Sequence, residues 1–301
     1  MNKKTTVTIG IPVYNEEANI GTILDAILAQ EETDFVMDKI FVISDESIDR
    51  THEIVQSFIK RDKRLQLIIN EKRNGQISAQ NKIFSLANTD IVVLFEADTV
   101  PEGTKYLHEL IRPIVTNPKI GLVQGNTQPL PSHSIVGRIL DRQVHAHYSF
   151  MVRTPAIVEW FTSGRGGRAF TKTVYKQLVW PPSVPEDVYA FLWCKKNNIE
   201  TVFRRSAVCR YKIPQKFADL VKERQKIRSG EITMVHYFPK EHLDRIYHKP
   251  LWFIIKPAIY FLIKNPIQFC EYALLRVMLY QRLVNKRFTD FWPTTYSTKL
   301  L

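Results

Sequence analysis

The feature that most constrains the fold is an alternation of strand-like apolar runs with helical stretches across the first hundred residues. The apolar runs cover residues 7–13, 40–44, 65–69 and 92–95. The stretches between them repeat apolar residues at helical spacing, first at Ile20, Ile23, Leu24, Ile27 and Leu28. Strand–helix alternation of this kind predicts a mainly parallel central sheet with helices on both faces. We therefore expect an α/β fold.

Carboxylates follow two of the predicted strands at the point where each strand ends. Asp45 follows the second strand, and Glu96 and Asp98 follow the fourth. Ligands of parallel sheets bind beyond the carboxyl ends of the strands, so these acids are expected at one edge. If the strand continues through them, alternation turns Glu96 and Asp98 to the same side. Mg²⁺ takes one or two carboxylates together with phosphate oxygens. The acids therefore predict a cation site for a diphosphate, although two solvated carboxylates would give the same local pattern.

Several motif classes are absent from the full sequence. It has no G-x-G-x-x-G turn after the first strand and no G-x-x-x-x-G-K-[ST] loop, which argues against dinucleotide oxidoreduction and P-loop nucleotide hydrolysis. The three cysteines, Cys194, Cys209 and Cys270, follow neither a disulfide nor a zinc pattern. The first residues lack the apolar core of a signal peptide. We expect a protein of a reducing, cytoplasmic compartment.

The net charge of +12 is confined to the second half of the chain. Residues 1–160 hold 17 Lys and Arg against 20 Asp and Glu, residues 161–240 hold 16 against 6, and residues 241–301 hold 9 against 4. This excess indicates anionic partners for the second half, such as phosphates or a membrane surface. A basic face exposed to solvent would account for part of it.

The C-terminal region 241–301 has the composition of basic amphipathic helices. Residues 251–263 are apolar but short and are interrupted by Lys256 and Pro257, so they are too short to span a bilayer. Residues 266–287 mix apolar side chains with several arginines. Basic segments rich in aromatic residues can lie in the membrane interface. We expect peripheral membrane contact through 251–287 at the cytoplasmic face; packing on the catalytic domain or on another subunit is the alternative.

Five motifs occur along the chain in a fixed order. They are the start Ile11-Pro12-Val13-Tyr14-Asn15-Glu16-Glu17, the D-x-S-x-D-x-T segment 45–51, Asn74-Gly75 with Asn81, Glu96-Ala97-Asp98, and Glu186-Asp187. In this order and spacing they resemble the family 2 glycosyltransferases, inverting enzymes with a GT-A fold, over about residues 5–232. The resemblance extends to membrane-associated and processive members, because Gln225-Lys226-Ile227-Arg228 is similar to the Q-x-x-R part of their Q-x-x-R-W motif.

The resemblance implies a role for each motif residue. Residues that would bind the nucleotide sugar are Pro12, Tyr14, Glu16, Asp45, Asn74, Asn81, Ala97, Gln225 and Arg228. Within this set Asp45 would contact the base, and Arg228 would hold the diphosphate. Asp98 and Glu96 would hold Mn²⁺ or Mg²⁺. Asp187 would be the general base, and its neighbour Glu186 would tune its pKa.

Two positions depart from the family pattern. Glu96 stands where the family has Asp, which keeps the charge but lengthens the side chain by one methylene. Ser229 stands where processive members have Trp, so the aromatic surface for an acceptor sugar is missing. The first change makes Asp98 the safer metal ligand, and the second leaves processive or single transfer open.

The expected protein is a metal-dependent inverting hexosyl- or N-acetylhexosaminyl-transferase of polysaccharide biosynthesis. Its partners would be a nucleotide-diphosphate sugar, preferably a UDP-sugar, and a glycan or lipid-linked acceptor, with no nucleic acid. We expect a catalytic domain over 1–240, divided near residue 115 into nucleotide-binding and acceptor-binding halves, followed by the helical region. A sugar-nucleotidyltransferase and a non-catalytic basic protein that binds membrane or nucleic acid are the alternatives.

Overall fold

A computed structural model describes residues 4–151, 166–248 and 251–284. Within these ranges the helices are α1 Ile20–Leu28, α2 Thr51–Arg61, α3 Gly75–Leu86, α4 Tyr106–Thr116, α5 Ile135–Met151, α6 Lys172–Tyr175, α7 Glu186–Lys196, α8 Phe217–Met234, α9 Lys240–Tyr247, α10 Leu251–Lys264 and α11 Pro266–Val284. The strands are β1 Thr5–Val13, β2 Phe35–Ser44, β3 Leu65–Ile69, β4 Ile91–Leu94, β5 Thr99–Pro101, β6 Ile120–Pro129, β7 Arg168–Thr171 and β8 Glu200–Tyr211.

The strands form one mixed sheet in the order β3-β2-β1-β4-β7-β6-β8-β5. The first four of these strands pair in parallel, as the alternation of strands and helices predicts. Strand β7 is antiparallel to both of its neighbours, and β5 is antiparallel to β8. The expected α/β fold is confirmed. The antiparallel strands lie outside the regular alternation, and the sequence pattern does not predict their pairing.

The central strands are buried on both faces, so they read as continuous apolar runs. Ile9 and Ile11 of β1 belong to the core cluster that includes α1 and α4. Between them Gly10 faces α3, where a Cβ would lie 2.5 Å from the side chain of Ile83. Alternation along β1 therefore seats helices on the two faces of the sheet.

The described chain groups into two compact units. One unit contains residues 4–128 and 166–211, and therefore nearly all of the sheet. The other contains residues 129–151, 212–248 and 251–284 and is helical. The expected division into a domain over 1–240 and a region over 241–301 stays a prediction.

Two local expectations differ from the structure. Strand β4 ends at Leu94, and a hydrogen bond from the Thr99 amide to the Glu96 carbonyl closes a tight turn. Glu96 and Asp98 therefore lie on a turn, and strand alternation does not set their direction. By residue type the sequence predicts Asn15 as the N-cap of the first helix, before the acids Glu16 and Glu17. In the structure α1 begins at Ile20 with Asn19 as its N-cap, and Asn15 adopts a positive φ of 51°. Both differences arise where loop hydrogen bonds replace the regular pattern.

Candidate active site

The acids that follow the strands lie at one edge of the sheet in the first unit. Strands β2, β1 and β4 are parallel neighbours, so Ser44, Val13 and Leu94 end them at the same edge. Asp45 directly follows β2, and the turn with Glu96 and Asp98 follows β4. The expected common edge is confirmed.

The carboxylate of Asp45 is 4% exposed and lies at the N-terminus of α3. Its oxygens accept hydrogen bonds from the backbone amides of Asn74 and Gly75, each at 2.8 Å, and from Nδ2 of Asn70 at 3.3 Å. An anion is favourable at a helix N-terminus, where backbone amides lack partners within the helix. A carboxylate offers about four acceptor positions, so the three bonds leave room for one donor from a ligand. The contact of Asp45 with a base stays a prediction.

Glycine is required next to this carboxylate. Gly75 has a φ of 83°, a conformation that residues with a Cβ rarely adopt. Gly75 is the first residue of α3, and in this conformation the backbone amides of Asn74 and Gly75 both donate to the Asp45 carboxylate. The Asn74 side chain is exposed, so the structure shows its backbone in the site and leaves a ligand contact of its side chain as a prediction.

The loop after β1 is held by the loop after β2. The backbone amides of residues 15, 16 and 17 donate in turn to Ser47 Oγ, Thr51 Oγ1 and Asp49 Oδ2, at 3.0, 2.8 and 3.0 Å. The alternate polar residues of the D-x-S-x-D-x-T segment thus satisfy the amides that precede α1. Except for Asp45, the polar residues of this motif shape the loop that carries the predicted base-binding residues.

The predicted base-lining residues occupy that loop. Pro12 is buried near the end of β1, and Tyr14 follows half-buried. The guanidinium of Arg73 lies 3.8 Å from the centre of the Tyr14 ring, a cation–π contact. Glu16 accepts a hydrogen bond from Asn19 Nδ2 at 2.9 Å. Tyr14 therefore presents one ring face to an arginine that the sequence did not single out.

The turn with Glu96 and Asp98, called the acid turn below, has the uncharged side chains of Tyr106 and Cys209 nearby. Tyr106 packs on Phe95, the residue before Glu96, with ring centres 5.7 Å apart. Burial, with a smaller effect of the Glu96 charge, raises the pKa of the Cys209 thiol to about 12. Burial also raises the pKa of Tyr106 well above its ordinary value. Cys209 and Tyr106 are therefore uncharged at neutral pH, and Cys209 is unsuited to nucleophilic chemistry.

Glu96 and Asp98 provide hard oxygen ligands, and the buried Ala97 lies between them in the turn. Both acids are half-buried. Among the described residues, no three His, Cys, Asp or Glu side chains come together as a complete metal cage. A Mn²⁺ or Mg²⁺ site completed by phosphate oxygens needs one or two carboxylates, so the donor set fits such an ion.

Glu186 and Asp187 form the first turn of α7, after the N-cap Pro185. Acidic residues are favourable in the first turn of a helix, which accounts for the placement of the pair. Asp187 is half-buried, and its Oδ1 accepts the amide of Val188 at 2.8 Å. The proline-rich run 180–185 predicts a rigid loop that delivers both carboxylates to a helix start, and the structure confirms this prediction. The role of Asp187 as general base stays a prediction.

Glu186 is buried and contacts three residues outside its own helix. Oε1 accepts a hydrogen bond from Gln76 Nε2 of α3 at 3.1 Å and lies 3.6 Å from Nη2 of Arg168 on β7. The Glu186 carbonyl accepts the indole N–H of Trp180 at 2.8 Å. Glu186 is therefore fixed by three elements of the first unit.

Asn81 anchors the loop that leads to this pair. Its Nδ2 donates to the carbonyl of Trp180 at 2.9 Å, and its Oδ1 accepts the amide of Trp180 at 3.0 Å. Both polar atoms of the side chain are thus engaged with the backbone of one residue. The structure gives Asn81 a positioning contact, and its predicted contact with the nucleotide sugar stays a prediction.

Gln225 and Arg228 lie on α8, in the second unit. They are three residues apart on this helix, with Gln225 half-buried and Arg228 exposed. The contact of Arg228 with the diphosphate and that of Gln225 with the nucleotide sugar stay predictions. Of the basic loop 162–168, residues 162–165 lie outside the described residues.

Sequence reasoning missed several residues that shape the site. These are Asn70, Arg73, Gln76, Arg168 and Trp180. Gln76 is the second residue of α3, directly after the motif glycine, and that position was a usable signal. Arg168 and Trp180 carried no local signal, because their contacts depend on the pairing of β7 with β4 and on a loop that returns to α3.

Comparison with known proteins identifies the family. The sequence profile of Glycosyl transferase family 2 matches residues 8–177, more than half of the chain. This segment contains Asp45 and the acid turn, and it ends before Glu186 and Asp187. A poly-beta-1,6-N-acetyl-D-glucosamine synthase of Staphylococcus epidermidis is 24% identical over 231 residues, which are 75% of this chain and 55% of that protein. The chain spans about half the length of the first curated relatives that it matches.

Solved structures share the fold. A mannosyltransferase from Pyrobaculum calidifontis in complex with GDP-Man and Mn²⁺ superposes with a TM-score of 0.63 at 17% identity, covering 94% of this chain and 81% of that one. A glucosyl-3-phosphoglycerate synthase from Mycobacterium tuberculosis in complex with Mn²⁺, UDP and phosphoglyceric acid has a TM-score of 0.53 at 18% identity, covering 75% and 77%. At these identities the likeness shows the GT-A architecture, and the matched profile shows the sequence family. The chain belongs to the family 2 glycosyltransferases.

Proposed function

We propose that the protein is an inverting, metal-dependent glycosyltransferase. It would move a hexosyl or N-acetylhexosaminyl group from a nucleotide-diphosphate sugar, preferably a UDP-sugar, to a hydroxyl of a glycan or lipid-linked acceptor in polysaccharide synthesis. The observation that carries the proposal is the order of acids in the first unit: Asp45 after β2, the acid turn after β4, and Asp187 at the start of α7. The Mn²⁺ or Mg²⁺ complexes of relatives with this fold support the metal requirement.

The transfer makes one bond and breaks one bond. The acceptor oxygen attacks the anomeric carbon, the bond from that carbon to the diphosphate oxygen breaks, and the hydroxyl proton passes to the Asp187 carboxylate as general base. The released product is a nucleoside diphosphate. A single base opposite the leaving group inverts the configuration at the sugar carbon.

Donor binding would place the diphosphate at the acid turn. Asp98, with Glu96, would hold the cation, which as a Lewis acid neutralises charge on the leaving group. Asp45 would accept a hydrogen bond from the base through its remaining acceptor position. Tyr14 and Pro12 would supply the apolar surface beside the base.

A thermal-shift and calorimetric screen tests donor and metal together. We expect UDP and UDP-sugars to raise the melting temperature in the presence of Mn²⁺ or Mg²⁺ more than GDP compounds, because ligands that bind the folded state stabilise it. EDTA should remove the shift, and Asp98→Ala should remove its dependence on metal. Equal stabilisation in EDTA would refute the metal site, a larger GDP shift would refute the base preference, and no shift with any nucleotide would refute the donor class.

The product that is released distinguishes a glycosyltransferase from a sugar-nucleotidyltransferase. A sugar-nucleotidyltransferase would release pyrophosphate when it makes the nucleotide sugar, whereas a glycosyltransferase releases nucleoside diphosphate. Family membership favours the second. A non-catalytic basic protein would show salt-sensitive nucleic-acid or membrane binding with no nucleotide affinity.

We also propose peripheral membrane contact, at the cytoplasmic face, through the C-terminal hairpin, which is α10 and α11 (residues 251–284). Phe253, Pro257 and Phe261 form the buried stripe of α10. The hairpin nevertheless carries 13 of the 24 large apolar side chains that are exposed in the described chain. Four cations, Lys256, Lys264, Arg276 and Arg282, accompany one acid, Glu271. Exposed apolar surface with cations suits an anionic lipid interface.

Within the described residues, no helix is long and apolar enough to cross a membrane. Residues 285–287 of the expected contact segment lie outside the described residues. The contact that we propose uses the exposed apolar side chains of α10 and α11.

A further inference from the structure

The side chain of Arg168 is a buried cation that the proposed chemistry does not use. It is 1% exposed and opens β7, where it pairs with Leu94 of β4 on one side and Gln124 of β6 on the other. An arginine stays protonated in proteins, so it cannot escape the cost of burial by losing its charge. A buried arginine at the end of β4 therefore requires an anion nearby.

Glu186 supplies the countercharge. Its Oε1 lies 3.6 Å from Nη2 of Arg168, and the same oxygen accepts the hydrogen bond from Gln76. Among the described residues, Nε and Nη1 of Arg168 have no hydrogen-bond partner. The guanidinium therefore depends strongly on this one carboxylate, because loss of Glu186 would leave a buried charge without compensation.

The contact between Arg168 and Glu186 connects the strand beside the acid turn to the first turn of α7, both within the first unit. Leu94, opposite Arg168, is two residues before Glu96 of the acid turn. Glu186 is the residue before Asp187 in the first turn of α7. The Glu186 backbone is also held by the indole of Trp180. Glu186 is therefore in contact with β7 through its side chain and with Trp180 through its backbone, at the residue directly before Asp187.

We infer that Arg168 is a positioning residue for Asp187 and acts through Glu186. The guanidinium is buried, so its influence on a substrate passes through the carboxylate it holds. The inference rests on the proposed role of Asp187 as base. It assigns Glu186 to holding the helix start, which differs from a direct part in proton transfer.

The test combines Arg168→Met, Arg168→Lys and Glu186→Gln with the double variant Arg168→Met/Glu186→Gln. Arg210→Met is the control, because Arg210 of β8 forms its ion pair with the exposed Glu102 and not with Glu186. Each protein is measured for melting temperature, for donor Kd with Mn²⁺, and for kcat. UDP-glucose, UDP-N-acetylglucosamine and GDP-mannose serve as donor probes, and released nucleoside diphosphate is the readout.

We expect Arg168→Met to lower kcat about 10²-fold, the cost of a misplaced reacting group, with donor Kd changed less than about 2-fold. Arg168→Lys should recover part of the loss. Arg168→Met alone should lower the melting temperature by about 5–10 °C, because it strands the Glu186 charge, and the double variant should regain most of that shift. The kcat of the double variant should stay as low as that of Arg168→Met, since both changes remove one contact. Arg210→Met should change neither quantity by much.

The possible results distinguish failure of the positioning role of Arg168 from failure of the base role of Asp187. Normal kcat in a folded Arg168→Met protein, or a Kd that rises in step with the loss of kcat, overturns the positioning role. Losses in kcat that multiply in the double variant overturn the path through Glu186. If Asp187→Asn, measured alongside, turns over like the wild type, the base assignment fails and the positioning role fails with it. If Asp187→Asn loses transfer and Arg168→Met does not, only the positioning role fails.

Discussion

At the scale of single residues, several polar side chains of the site motifs bind backbone groups and so shape the loops. Ser47, Asp49 and Thr51 are used on backbone amides of the loop after β1. Asn81 is used on the backbone of Trp180. Asp187 is half-buried at the start of α7, where its Oδ1 accepts the amide of Val188. Its neighbour Glu186 accepts a hydrogen bond from Gln76. The role of Asp187 as base stays a prediction that substitution tests.

The substitution Asp187→Asn tests this assignment. We expect transfer to fall by about 10² or more while donor binding with Mn²⁺ stays within about 2-fold, because the amide keeps the shape but cannot take a proton. Transfer and donor Kd are measured by product formation and calorimetry. Glu200→Gln, an exposed carboxylate at the start of β8, is the control and should keep full activity. Near-normal turnover in Asp187→Asn would refute the base.

At the scale of elements, α3 connects most of the site. Its first amide meets Asp45, its second residue Gln76 meets Glu186, and Asn81 holds the loop before α7. The helix can do this because it lies close against β1, where Gly10 leaves room for Ile83. The close approach of α3 to the sheet thus sets the distance between Asp45 and the proposed catalytic pair.

Gly10→Ala tests this close approach, with Gly21→Ala as its matched control. A Cβ at Gly10 would lie 2.5 and 2.8 Å from Ile83 atoms and 2.9 Å from Leu94, so we expect a loss of about 1–3 kcal/mol in the free energy of unfolding. A Cβ at Gly21 would meet Ile54 at 3.7 Å, and alanine favours α1, so we expect a gain of about 0.5–1 kcal/mol.

Urea denaturation of both variants measures these changes. If alanine lowers the free energy of unfolding at position 10 and raises it at position 21, the distance from the new Cβ to its neighbours sets the change in stability, and not the loss of a glycine as such. An unchanged unfolding midpoint for Gly10→Ala would show that α3 can shift outward without cost. In that case nucleotide binding should be measured as well, because Asp45 and Gln76 would move apart.

At the scale of the whole molecule, the predicted catalytic and metal-binding acids lie in the first unit, and the exposed apolar side chains of the hairpin lie in the second. The first unit carries the acids and most of the segment that matches the family profile. The second carries the C-terminal hairpin, and α8 with Gln225 and Arg228. The basic excess of the sequence is shared by both units, because residues 166–211 of the first unit hold 8 Lys and Arg against 3 Asp and Glu.

Vesicle flotation tests the hairpin. We expect the full chain to float with vesicles of phosphatidylglycerol and phosphatidylcholine, and Ile259→Glu/Ile263→Glu to abolish flotation, because both side chains are exposed on α10. Ile232→Glu is the control, since Ile232 is equally exposed but lies on α8. Flotation should weaken at high salt. A variant that still floats, or a wild type that is dimeric in solution and does not float, would refute lipid contact and favour a second copy on this face.

The sequence by itself determined the α/β alternation, the common edge of the acids and the helix start that carries Glu186 and Asp187. These features follow from periodicity and from residue types at element ends, both of which are local. The tertiary structure decided the antiparallel insertion of β7, the turn that carries Glu96 and Asp98, and the pair between Arg168 and Glu186. The physical reason is that local periodicity does not encode which side chains of different elements will meet: Gln76 and Glu186 are 110 residues apart in the sequence, yet they are hydrogen-bonded.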